Sequence, residues 1–131
     1  MVKVTAILRP AGPEFPCIMP QSPLAEACRL IARARACAVL VTDKTGRLLG
    51  MITESDIVRL VAERAMGIRG LAVEEVMGAP ITALQPDNSV QDAIHMMEGT
   101  ALRHLPVCSA EGHLLGVVAR RDLHGAPALL S

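Results

Sequence analysis

Displaced by 66 residues, the chain falls into register with itself. Gly46-Arg47-Leu48-Leu49-Gly50-Met51-Ile52 lies over Gly112-His113-Leu114-Leu115-Gly116-Val117-Val118, and Asp56-Ile57 over Asp122-Leu123. Upstream, Pro20 matches Pro86, Ala27 matches Ala93 and Val41 matches Val107. The register is ungapped through most of each half, so the chain reads as two copies of one unit, 1–66 and 67–131. A copy of this size cannot bury both faces of a small sheet alone. Packing the copies against each other about a pseudo-two-fold axis solves that and leaves clefts between their sheets, where small ligands bind. Gly67 and Gly70 supply the turn between them.

Each copy carries the same series of elements. Ser22-Pro23 offers an N-cap and a proline at the first helical position, ahead of an apolar stripe of Leu24, Ala27, Cys28 and Ile31. Its counterpart opens on Ser89-Val90-Gln91-Asp92, a capping-box pattern, with Val90, Ala93, Ile94 and Met97 on the same stripe. A short strand follows, Val39–Thr42 or Leu105–Cys108, then a four-residue turn ending in Gly46 or Gly112. The second strand is Leu48–Thr53 or Leu114–Ala119. A second helix runs from Asp56 to about Ala65, and Gly125-Ala126-Pro127 cuts its counterpart short. The expected class is α/β (α+β), with a three-stranded sheet and two helices per copy.

Composition narrows the function. With 51% hydrophobic and 20% charged residues the chain is globular, and its core must be aliphatic because Phe15 is its one aromatic residue. That argues against single-stranded nucleic acid, which is held on aromatic platforms. A formal net charge of zero provides no global field toward DNA or an anionic membrane. No run approaches the roughly 18 apolar residues of a membrane span, and Lys3 and Arg9 bracket an opening unlike a signal peptide. A cytoplasmic protein is expected. Cys17, Cys28, Cys37 and Cys108 form no C-x-x-C pair, so neither zinc nor a disulfide framework is indicated. No histidine or carboxylate cluster has metal-ligand spacing, and no serine lies in a nucleophile elbow. An enzyme is not expected.

The order helix, strand, Gly turn, then L-x-G-h-h-[ST]-x-x-D resembles the cystathionine-β-synthase (CBS) domain, found as a tandem pair called a Bateman module. Val73-Glu74-Glu75-Val76-Met77, followed by Ile81-Thr82 and Pro86, is similar to that motif's opening, and Arg103-His104-Leu105-Pro106-Val107 to its central strand. The first opening departs, with about three extra residues in Arg9-Pro10-Ala11-Gly12-Pro13-Glu14-Phe15-Pro16. The resemblance implies a regulatory module that reversibly binds AMP, ADP, ATP, NAD or S-adenosylmethionine between its motifs, with no covalent cofactor. It also implies a homodimer that signals in trans to an effector the sequence does not name.

The resemblance places the nucleotide site on Ala38, Val39, Ile52, Thr53 and Asp56 of the first copy. From the second it takes Thr82, Arg103, His104, Leu105, Pro106, Arg120, Arg121 and Asp122. Thr53 and Asp56 suit a phosphate or ribose, since a carboxylate accepts from both hydroxyls and a helix N-terminus offers free N–H groups. Thr-x-x-Asp is equally a capping box that needs no ligand. The second copy has Ala119 in place of that hydroxyl and gains Arg120 and Arg121 near Arg103 and His104, a phosphate-binding corner or a solvated basic face. The first copy has Cys37-Ala38 and Leu40 there, an apolar wall suited to adenine. Two unequal sites, or one site in which the copies divide the labour, are expected. A ligand-free dimerisation module is the alternative, favoured by Ala119 and the irregular first opening.

Overall fold

The computed structural model of the chain describes residues 1–12, 15–78 and 83–123. It is a mixed α+β fold with two compact units, one of residues 12–81 and one joining 1–11 to 82–131. The first unit holds β1 (Cys17–Ile18), α1 (Leu24–Ala34), β2 (Ala38–Thr42), β3 (Leu48–Thr53) and α2 (Glu54–Arg64), followed by 3-10 turns at Ala65–Ile68 and Val73–Glu75. The second holds a 3-10 turn at Val4–Ile7, then α3 (Val90–Glu98), β4 (His104–Cys108) and β5 (Leu114–Ala119). Helical backbone resumes at 120–123.

The repeat is kept down to irregularities. Both hairpins are antiparallel, and both slip register at equivalent places, between Val41 and Thr42 and between Val107 and Cys108. Both turns need a glycine, since Gly46 and Gly112 have φ of 89° and 88°. The cores match position for position. Ile18, Leu24, Ala27, Ile31, Val39, Val41 and Ile52 of one are Leu84, Val90, Ala93, Met97, Leu105, Val107 and Val118 of the other. Cys28 packs partly buried against the first of these cores.

The sheets differ at their outer strand. In the first unit β1 pairs parallel with β2, and Leu40 N–H donates to Pro16 O at 2.8 Å. Pro106 stands where Leu40 does and has no N–H to give. Among the described residues that sheet is two-stranded, with a parallel bridge between Leu84 and Val107 at the outer position; Thr82, the counterpart of Pro16, lies outside them.

Two local expectations are corrected. Ser22 is not the cap of α1: Pro23 is the last extended residue, with no side-chain cap. The reason is that backbone does the work, for Leu24 N–H donates to Leu71 O and Ser22 O accepts from Val73 N–H. Helix α2 begins at Glu54 rather than Asp56, because Thr53 is its N-cap. Ser89 caps α3 as its pattern predicts, accepting from Asp92 N–H while Asp92 accepts from Ser89 N–H. The expected stop at Gly125-Ala126-Pro127 lies outside the described residues.

Each unit is completed by an opening from the other copy. Val4, fully buried, belongs to the core of the second-copy unit, and Val73, fully buried, to that of the first. Their bonds are equivalent: Val4 N–H to Asn88 O and Val73 N–H to Ser22 O, at 2.9 and 2.8 Å. Further on, Arg9 exchanges both backbone bonds with Val117 as Gly78 does with Met51. This lays the opening's backbone over a strand glycine. A β-carbon on Gly116 would meet Arg9 O at 2.5 Å, and one on Gly50 would meet Gly78 O at 2.8 Å. The openings are offset by 69 positions rather than 66, so the three extra residues fall between Arg9 and Cys17. Within that stretch Phe15 is buried, at 1% exposure.

Candidate ligand-binding corners

Each unit presents one corner where a central strand passes into a helix. In the first, β3 ends at Thr53 and α2 starts at once. The adjacent strand holds the junction, with Glu54 N–H donating to Cys37 O at 2.9 Å. In the second, Arg120 N–H donates to Arg103 O at 2.7 Å. The strand register brings Ala38 opposite Thr53 and Val39 opposite Ile52, so the five first-copy candidates do form one corner. Val39 and Ile52 are fully buried core residues, which leaves only their backbone to face a ligand.

At this corner the capping box is closed. Thr53 Oγ1 accepts from Asp56 N–H at 3.0 Å, and Asp56 Oδ2 accepts from Thr53 N–H at 2.9 Å. Asp56 Oδ1 is left facing Arg59, one turn along, at 3.6 Å. Asp56 lines a hollow of about 180 Å3 with Arg59, Leu60, Glu63, Arg64, Glu75 and Val76. Its rim mixes both signs of charge and selects for neither.

The second corner is wired differently. Leu105 belongs to the core, while His104 and Pro106, also buried, lie on the opposite face of β4. Arg103 and Arg121 are exposed. The Arg120 guanidinium is turned onto carbonyls in the last turn of α3 and just after it, donating to Leu102 O from Nε at 3.1 Å and to Met97, Thr100 and Leu102 O from Nη2 at 2.8–3.2 Å. Arg120 thereby staples the last turn of α3 to the segment that leads into β4, sharing Met97 O with the Thr100 N–H. Thr82 lies outside the described residues.

Asp122 has a partner that sequence reasoning missed. Arg9, brought in by the exchanged opening, binds it bidentately, Nε to Oδ2 at 2.5 Å and Nη2 to Oδ1 at 3.0 Å. That bond holds the Asp122 carboxyl below the usual carboxylate range against its partial burial, and the charges of Arg9, Arg121 and His104 add to the effect. Only the exchange could have revealed Arg9, whose separation from Asp122 is 113 positions.

Among the described residues no helix is long and apolar enough to cross a membrane. The CBS domain sequence profile matches residues 5–63 and again 73–128. An uncharacterized 17.7 kDa protein of Acidianus ambivalens is 34% identical over 113 residues, covering 86% of this chain. The chain spans 66% of that relative's length and 44% of another's. The CBS-pair protein CBSX2 of Arabidopsis thaliana, solved with AMP, superposes with a TM-score of 0.82 at 20% identity, over 99% of this chain and 98% of that one. The CBS domain pair of protein MJ0100, solved with 5-methylthioadenosine and S-adenosylmethionine, gives 0.75 at 20% identity, over 95% and 98%. At these identities the likeness is one of fold.

Proposed function

The chain belongs to the CBS domain family, and we propose that it is a regulatory, non-catalytic module that reversibly binds an adenosine-containing ligand and signals occupancy in trans. The motifs are those of the repeat, 1–66 and 67–131. The observation that carries the reading is the Thr53–Asp56 corner, a carboxylate at a helix N-terminus beside the buried Ala38 and an exposed hollow. One carboxylate oxygen is bound in the cap, and the other, which faces Arg59 at 3.6 Å, can accept from a ribose hydroxyl. Relatives solved with AMP, with 5-methylthioadenosine and with S-adenosylmethionine support the ligand class.

Dimerisation belongs to the same proposal. Helix α2 buries no residue fully and leaves Val58 and Val61 at 68% and 44% exposure, an apolar face suited to a second copy. We place the module in the cytoplasm, with an effector to be found by its binding to the liganded form.

A ligand-free dimerisation module remains the second reading, favoured by the Arg9–Asp122 pair, which fills one corner with the protein's own side chain. A thermal-shift screen separates the two. AMP, ADP, ATP, NAD and S-adenosylmethionine are compared with GTP. Ligand at a hundredfold its Kd adds about 2.7 kcal/mol, several degrees for a domain of this size. A shift with adenosine compounds, reduced in Asp56→Asn, supports the sensor. No shift with any of them, in folded protein, leaves the dimerisation module.

A further inference from the structure

Asp56 and Asp122 are equivalent in the repeat, but the exchanged openings deliver different residues to them. The residue that enters beside Gly116 and pairs with Val117 is Arg9. The residue that enters beside Gly50 and pairs with Met51 is Gly78, which has no side chain to offer. Arg9 accordingly reaches Asp122 and engages both carboxylate oxygens, whereas among the described residues Asp56 Oδ1 has only the Arg59 charge at 3.6 Å on its own helix.

We propose that Arg9 is a built-in occupant of the second corner, so that an adenosine ligand binds at the Asp56 corner and the Asp122 corner is closed until Arg9 is removed. The inference rests on the reading of these corners as ribose-binding sites. A guanidinium fork matches a carboxylate in shape and charge, and its bonds are stronger than those of a neutral diol. A ribose that approaches Asp122 must therefore displace a better partner that is tethered to the same sheet. At Asp56 the opening carries glycine, and among the described residues the guanidinium that faces it is that of Arg59 on its own helix, at 3.6 Å and outside hydrogen-bonding distance. Arg9 thus decides which of two otherwise equivalent carboxylates reads the ligand.

The test is calorimetric stoichiometry with AMP on the full chain. Wild type is expected to bind one AMP per chain and Asp56→Asn none. Arg9→Met, which keeps the aliphatic stem and the backbone pairing with Val117, is expected to bind two, and Arg9→Met/Asp56→Asn one. Arg9→Gln replaces Arg9→Met if the latter is unfolded by circular dichroism. Two sites in wild type, or still one in Arg9→Met (or in its replacement Arg9→Gln) with none in Arg9→Met/Asp56→Asn, overturn the role of Arg9 and leave the sensor reading standing. AMP binding to none of these proteins overturns both.

Discussion

Val4 and Val73 fill the same place in opposite units, each fully buried and each donating its N–H to the carbonyl just before the opposite copy's first helix. Each half of the chain thus lends the other a core residue. Truncating either valine to Ala removes two methyl groups from a closed core, at a cost of about 2 kcal/mol. The site of the damage is the sharper test. Val4→Ala is expected to weaken hydrogen-exchange protection in α3, β4 and β5, and Val73→Ala in α1, β2 and β3. Loss of protection in the mutated residue's own half would contradict the exchange of openings.

Gly50 and Gly116 are small because an opening's backbone lies over them. Alanine at either position is expected to destabilise by about 1–3 kcal/mol, the usual cost of overpacking. Gly116→Ala should be the worse, since its β-carbon would press on Arg9 O at 2.5 Å and Leu8 Cδ1 at 2.9 Å. At Gly50 the limits are Gly78 O at 2.8 Å and the flexible thioether of Met77 at 2.9 Å. Urea midpoints at unchanged slope measure both, and equal or reversed losses would rule out this account.

Arg120 separates a helix staple from a phosphate ligand. Arg120→Met removes its bonds to the carbonyls of Met97, Thr100 and Leu102, and a loss of about 1–3 kcal/mol is expected from the broken staple, although Met97 O keeps the Thr100 N–H. If the staple is its whole role, the thermal shift produced by AMP or ATP stays the same as in wild type. A nucleotide shift that falls with Arg120→Met, beyond the loss of stability, would return it to the phosphate corner.

Much of this architecture is legible in the residues. Helical stripes such as Leu24, Ala27 and Ile31 superpose on Val90, Ala93 and Met97, so the repeat identifies both cores at once. Capping boxes are local, and those of Thr53 and Ser89 stand as their spacing predicts. Ser22 misleads because a distant backbone, at Leu71, satisfies the donor its hydroxyl would have taken. Arg9 and Arg120 are illegible for a related reason. An arginine has the same charge wherever it stands, and its partner is set by which backbone the fold brings alongside. Only Pro106 carried an unread signal, since a proline in mid-strand announces a missing donor.

The pair of Arg9 and Asp122 also makes a prediction about acid. Its bond to Arg9 lowers the Asp122 pKa in the folded chain from the unfolded value of about 3.9. Between the folded and unfolded values the unfolded chain binds more protons, so stability rises with pH there. The pair's contribution is therefore fully present above about pH 4–5 and is lost as pH falls through the lowered value. Asp122→Asn removes the titrating group. The melting temperatures of wild type and this variant should accordingly differ most at neutral pH and converge as the pH falls through the lowered Asp122 pKa. Arg9→Met should converge with wild type over the same range, because it removes the other half of the same bond. A gap between wild type and Arg9→Met that stays constant or widens on acidification would mean that Asp122 owes its low pKa to something other than Arg9.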